Sequence, residues 1–444
     1  MNPHHAVNAF LGRNNFQPNG PDINATIHTM LYDMEEGLKT NPKNPPGQGP
    51  ALDMIPTWAT PPEGSPRNES VIVIDAGGTN FRSCLVRFDK EGTPTISQMK
   101  KTAMIATDRE YGKKDFFDTI AENIDYLKDS ASRIGFCFSW PMNIMPNGDG
   151  QVTEFSKEVK AKEVVGSLIG ENLSKSLKAR GWKKIEKITL LNDTTAALLA
   201  GASAATGGKS YDSYVGFILG TGMNAAYIEY LPIPKIVAQD NTQPLNQIVV
   251  CESGKCNKIP QSYFDELLDA TTNSPGLFGY EKKCSGAYLG PLGKIALITA
   301  AKDGLFSKST ARYFATLDSL ELRDMDQFFY GPYRIDTKLG KILSSGTEVD
   351  REIAYRILDA IVERSARLAA ANIAAAIIKS GKGHSPVKPV CVMCEGTTFL
   401  KTHNLKNRVI GYCNEVLTEQ RNIWYELVSM ENAVTLGSAV AGLI

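Results

Sequence analysis

The sequence predicts an α/β chain built from two similar halves, and three observations predict it. Short apolar β-type runs alternate with helical patterns, the mark of an α/β fold. The stretch DAGGTNFRSCLVRF at 75–88 is answered by LGTGMNAAYIEY at 219–230. Each has an apolar strand, a glycine–threonine turn, an asparagine and a second apolar strand. The chain is 444 residues long, more than a single domain usually holds.

Taken in order, residues 22–39 place Ile23, Ile27, Met30, Leu31, Met34 and Leu38 at helical spacing. The N-terminal ~50 residues carry no recognisable motif, and the first 20 are expected to be flexible. Proline and glycine then punctuate twice, in TNPKNPPGQGP and TPPEGSPRNES, and the second stretch reads as a linker. Strands are expected at 71–75, 82–88, 133–138, 187–191, 214–219, 223–229, 247–251 and 389–394. Helices are expected at 115–128, on Phe116, Phe117, Ile120, Ile124 and Leu127, and at 349–380, where Gly381 supplies the stop. The two hairpins lie too far apart for a solenoid repeat. Two halves facing each other would set a nucleotide's phosphate tail between the glycine turns.

Composition excludes several classes. The chain is 42% hydrophobic and 22% charged, as in ordinary globular proteins. Its 48 basic and 48 acidic residues cancel, so the basic surplus of a nucleic-acid binder is missing. No apolar run approaches the ~20 residues of a membrane helix. The N-terminus lacks a signal-peptide layout, so a cytoplasmic location is expected. Cys84, Cys137, Cys251, Cys391 and Cys394 lie in strand-like runs and read as small buried apolar residues. CVMC (391–394) has no second ligand pair for zinc.

The turns carry the chemistry. Glycines let backbone N–H groups approach phosphate oxygens, and threonine or asparagine adds a donor. Neither turn has Walker or dinucleotide spacing. Asp75 ends a buried strand, where it could hold Mg²⁺ or initiate a turn. In ITLLNDTTAALLAG (188–201) a strand ends at Asn192 and Asp193, where a helix begins. Asp193 could cap that helix or act as a base, since α/β proteins place their sites at strand C-terminal ends. His4, His5, His28, His384 and His403 avoid every strand end, so a general base should be a carboxylate. Ser139 could meet a polyol or simply turn the chain, and Ser156 with Lys157 could be site or surface.

Together these segments resemble the hexokinase family, eukaryotic-type hexokinases and glucokinases, from about Ile55 onward. DAGGTNFR is similar to its first phosphate motif, FCFSWP to its sugar segment and EFSKEV to its WTKGF. LLNDTTAALLAG is similar to its NDT segment, LGTGMNAAYIE to its second phosphate motif and CESG to NTEWG. YFDELLDATTNSPGLFGYEKKCSGAYLG, MCEGTTFLKTH and ENAVTLGSAVAGLI follow in the family's order.

The resemblance implies an actin-like ATPase (ribonuclease H-like) fold with two lobes and a central cleft. It implies an N-terminal segment 1–61 packed on the large domain, a small domain 62–191 with the C-terminal helix 431–444, and a large domain 192–430. The implied activity is ATP-dependent phosphorylation of a hexose at its 6-hydroxyl, with D-glucose the first choice, as in the first step of glycolysis. Asp193 would be the base and Lys157 would offset developing charge. Ser139, Ser156, Lys157, Asn192, Asn224, Glu252 and Glu281 would line the sugar. Asp75 would serve Mg²⁺. Gly77, Gly78, Thr79, Asn80, Arg82, Thr221 and Gly222 would surround the ATP phosphates, with Gly396 and Thr397 near adenosine. A cleft that closes on the sugar would exclude water. Alternatives are a kinase of mannose, fructose or an amino sugar, and a non-catalytic ATP or sugar sensor. Neither nucleic acid nor membrane is an expected partner, and a monomer and a homodimer both fit.

The chain also departs from the pattern. Ser156 stands for a threonine, Ser253 for a tryptophan, Val250 for an asparagine and Phe278 for a glutamine. Met430-Glu431-Asn432 stands for a glycine–serine turn.

Overall fold

A computed structural model describes residues 2–17, 19–39, 52–77, 80–155, 159–204, 208–237 and 243–444. Its strands are β1 (Ile55–Pro56), β2 (Glu69–Ala76), β3 (Asn80–Phe88), β4 (Pro94–Ala103), β5 (Arg133–Phe138), β6 (Met142–Ile144), β7 (Gly150–Val152), β8 (Lys187–Leu191), β9 (Ser213–Leu219), β10 (Met223–Glu229), β11 (Gln247–Val250), β12 (Val390–Glu395) and β13 (Tyr425–Val428).

They form two main sheets, each built around one of the two hairpins. The first runs β4-β3-β2-β5-β8 and the second β1-β11-β10-β9-β12-β13. Both echoed motifs are antiparallel hairpins, β2 with β3 and β9 with β10. Each hairpin's first strand then pairs in parallel with a later strand, β2 with β5 and β9 with β12. The run Val71–Asp75 is buried on both faces, which suits a β-branched strand between two neighbours.

Two helices fill the space between the sheets. The first five helices along the chain are α1 (Pro3–Arg13), α2 (Ile23–Lys39), α3 (Lys113–Asn123), α4 (Ile169–Ala179) and α5 (Asp193–Ser203). α5 packs on β9 and on the C-terminal helix Ala433–Leu443, which in turn packs on β2 and β5. One apolar cluster joins Val71 and Val73 of the first sheet, Ala226 and Ile248 of the second, and Ala196 and Ala439 of these helices. Small residues allow the fit: a Cβ on Gly437 would stand 1.7 Å from Ala196 O, and one on Gly135 1.8 Å from Ser438 O.

The helix Glu348–Ser380 packs on β9 and β10 in a second apolar core. It starts at a capping box, in which Asp350 N donates to Thr347 Oγ1 at 3.2 Å and Thr347 N to Asp350 Oδ2 at 2.8 Å. It stops at Gly381, whose φ of +65° is the left-handed cap expected there.

The N-terminus corrects one expectation. Residues 3–13 are not flexible: they form α1, capped by Asn2, and bury Val7, Phe10 and Leu11 in the second core. Three buried side chains at helical spacing suffice, because the core they enter already exists.

Candidate active site

Strand register assembles the first half of the site. Asp75 of β2 lies opposite Cys137 of β5, and Cys137 opposite Leu191 of β8. The C-terminal ends of three adjacent parallel strands therefore present Asp75 to Gly77, Ser139, and Asn192 with Asp193. Ser139 N donates to Ala76 O at 3.1 Å, and Gly77 N to Asn80 O at 3.0 Å, closing the first turn.

Asp75 is 9% exposed, and Arg82, its cross-strand partner, donates to its Oδ2 at 3.0 Å. Burial pushes the Asp75 pKa up and the guanidinium pulls against that. At the next strand end, capping falls to Asn192 and not to Asp193. Asn192 Oδ1 accepts from Thr194 N at 2.9 Å and Thr194 Oγ1 at 2.6 Å, and Asp193 is the first residue of α5. The Asn192 oxygen is thus committed to the helix, and its Nδ2 is the group available to a ligand.

The second half comes from the other sheet. Its glycine turn is pinned from three sides: Gly220 N donates to Gly222 O at 2.9 Å, Gly286 N and Thr398 Oγ1 each donate to Gly220 O at 2.8 Å, and Ala287 N donates to Thr221 O at 3.2 Å. Gly396, at φ +110°, presses so close that a Cβ would sit 2.2 Å from Leu219 O. Thr398, one residue beyond Thr397, is the threonine that touches the turn. Glu281 Oε2 accepts from Met223 N at 3.0 Å, and Asn224 Nδ2 donates to Glu252 Oε1 at 3.0 Å.

Glu252 holds a left-handed backbone (φ +54°), a costly conformation for a glutamate. Burial pushes its pKa up to about 7; Lys255 pulls it down, while Asp53, Asp193 and Glu281 push it further up. Asn192, Trp140, Pro141 and Glu252 line one narrow recess.

Gly78, Thr79, Ser156 and Lys157 lie outside the described residues. Sequence reading passed over Lys255, which binds Asp53 Oδ2 at 2.6 Å and reaches Glu154 at 4.0 Å. It also passed over Asn372, a fully buried amide. The available signal for Asn372 was one amide inside the apolar run LAAANIAAAII (368–378).

Comparison with known proteins shows the family. Residues 12–203 and residues 214–444 each match a family model described as hexokinase. The chain belongs to the hexokinase family and is an ATP-dependent hexose kinase with the actin-like ATPase fold. The match begins well before Ile55, where the sequence resemblance was first traced. Hexokinase-1 of Schizosaccharomyces pombe is 28% identical over 443 residues, covering 94% of this chain and 86% of that protein. Glucokinase-1 of Kluyveromyces lactis is 28% identical over 381 residues, covering 78% and 79%. The solved hexokinase from Schistosoma mansoni complexed with glucose superposes with a TM-score of 0.81 at 22% identity, covering 100% of both chains. No helix among the described residues is long and apolar enough to cross a membrane.

The donor set fits the magnesium that ATP brings. Among the described residues no three His, Cys, Asp or Glu side chains gather into a dedicated metal site. One buried carboxylate, Asp75, stands beside a glycine turn instead. That suits an ion held mainly by phosphates and water.

Proposed function

We propose that this chain transfers the γ-phosphoryl group of ATP to the 6-hydroxyl of D-glucose, giving glucose 6-phosphate and ADP, the first step of glycolysis, in the cytoplasm. One observation carries the reading: Asn192, beside Asp193, lines one recess with Glu252, which Asn224 binds, while Glu281 binds Met223 N next to the second glycine turn. Carboxylates and amides there suit sugar hydroxyls, and the turns suit phosphates.

Asp193 accepts the proton of the 6-hydroxyl as its oxygen bonds to the γ-phosphorus and the bond to the β-phosphate oxygen breaks. Asn192 Nδ2, Asn224, Glu252, Glu281 and Ser139 hold the hexose, joined by Ser156 and Lys157. Backbone at Gly77 to Asn80, with Arg82, Thr221 and Gly222, receives the phosphates, and Gly396 and Thr397 flank adenosine. Asp75 would hold Mg²⁺, which when bound offsets charge on the phosphates. Residues 62–191 with helix 431–444 form the small domain of this reading and residues 192–430 the large one, with 1–61 packed on the latter.

The replacement of the family's tryptophan by Ser253 alters the sugar wall and favours a second reading, in which mannose, fructose or an amino sugar is preferred. ADP release from Mg-ATP with a panel of hexoses tests both. Fastest turnover with glucose is expected. Fastest turnover with another sugar selects the second reading, and equal ADP release without sugar overturns both.

A further inference from the structure

We propose that Asn372 is a positioning residue for the sugar site, acting through the Ser253 hydroxyl on Asn224 and through Asn224 on Glu252. The inference rests on the reading above, in which Asn224 and Glu252 hold the hexose.

Asn372 lies in the middle of the helix Glu348–Ser380, among alanine, leucine and isoleucine side chains, and is 1% exposed. An amide buried there destabilises the fold unless it is hydrogen-bonded. Its Nδ2 donates to Ser253 Oγ at 3.0 Å and also faces the Met223 sulfur. Ser253 is fully buried in the turn that follows β11.

A hydroxyl has one proton to give and rotates to suit its partners. With Asn372 donating into the Ser253 oxygen, the Ser253 proton must be given elsewhere. Asn224 Oδ1 lies 3.4 Å away, and the weaker acceptor, the Met223 sulfur, 3.7 Å away. The same Asn224 oxygen accepts from Ser253 N at 3.2 Å and Ala225 N at 2.8 Å. Three donors on the buried side hold the Asn224 oxygen inward. Its Nδ2 is thereby turned outward, to Glu252 Oε1 at 3.0 Å.

The direction of each bond follows from the one before it. The relay runs from the long helix to the strained Glu252. It depends on Ser253, which stands where the resembling family carries tryptophan, whose indole can donate but cannot accept.

The test uses the full chain and the hexose turned over fastest in the panel above. Asn372→Leu removes the donor at similar size. Asn372→Asp keeps the shape and demands the Ser253 proton for itself. Ser253→Cys keeps the shape and weakens both bonds. Each is expected to raise the sugar KM about three- to tenfold, the value of one net hydrogen bond, while the ATP KM stays at wild type. The double variant Asn372→Leu with Ser253→Cys should be no worse than the weaker-binding single. An unchanged sugar KM in folded variants, equal changes for sugar and ATP, or additive losses would overturn the proposal. Should the Asn372 variants fail to fold, Ser253→Cys decides by the same two constants. Asn224→Ala and Glu252→Gln separate this proposal from the reading beneath it: unchanged sugar KM in those two overturns the site assignment itself.

Discussion

Glu281 Oε2 accepts a hydrogen bond from Met223 N at 3.0 Å, and a Cβ on Gly222 would stand 2.5 Å from that same oxygen. The carboxylate proposed to hold the sugar and the second glycine turn therefore meet at one atom. A methyl group at 222 meets the far end of a flexible side chain, so Gly222→Ala should fold and push Glu281 aside. Both KM values, for hexose and for ATP, should rise about tenfold, the loss of one charge-assisted contact. Steady-state rates with each substrate varied check this. A rise in only one constant would break the link.

Glu252 supplies a pH dependence. Burial raises its pKa to about 7 and Lys255 opposes that rise. A protonated Glu252 loses acceptor capacity, so hexose affinity should fall as pH drops from about 8 to about 6. Lys255→Met removes the favourable positive charge, which disfavours the ionised form. The acid limb should then move to higher pH. Sugar KM measured across this range reads both effects, and a flat profile in both proteins would show that ionised Glu252 is not needed.

These contacts were unequally legible in the sequence. β2, β5 and β8 announced themselves because buried strands of a mixed sheet are continuous apolar runs, and Asp75, Ser139 and Asp193 follow directly at their ends. β4, PTISQMKKTA, was missed because it is an edge strand, mostly exposed and without an apolar run. The sequence offered Asp193 as the cap of α5, and only coordinates give that role to Asn192 next to it. Asn372 and Lys255 owe their places to partners more than a hundred residues away in sequence, Ser253 and Asp53, which no local pattern encodes.

Domain closure is the next expectation. Among the described residues, Lys255 of the second half reaches Glu154 of the first at 4.0 Å, and Trp58 Nε1 donates to Ile144 O at 3.0 Å, so polar contacts already bridge the two halves. Saturating hexose should draw the halves together and lower the radius of gyration in small-angle scattering. An unchanged profile would mean that water is excluded without closure.

Close packing between the sheets makes a stability prediction. Ala196 O would lie 1.7 Å from a Cβ on Gly437, and both partners are backbone that cannot move alone. Gly437→Ala should cost about 3 kcal/mol or more, or prevent folding, by forcing the C-terminal helix off α5. Gly411 is the control, since nothing lies within 4 Å of its Cβ position and it sits in the helix Leu405–Cys413. Gly411→Ala should stabilise by about 0.5–1 kcal/mol. Chemical denaturation of both variants checks the contrast.

Asn192 and Asp193 should separate stability from catalysis across one peptide bond. Asn192 caps α5 through its Oδ1, so Asn192→Ala removes two hydrogen bonds from the helix start and should cost about 1 kcal/mol of stability. It should also raise the hexose KM, because the Nδ2 donor goes with it. Asp193 leaves the cap intact when truncated. Asp193→Ala should therefore unfold within a few degrees of wild type while kcat falls by about 10²–10⁴, the contribution of a positioned general base. Melting temperature and kcat measured on the same two preparations make the comparison. If Asp193→Ala lost stability in proportion to rate, Asp193 would be a structural residue of α5, and the base would have to be sought among Glu252 and Glu281.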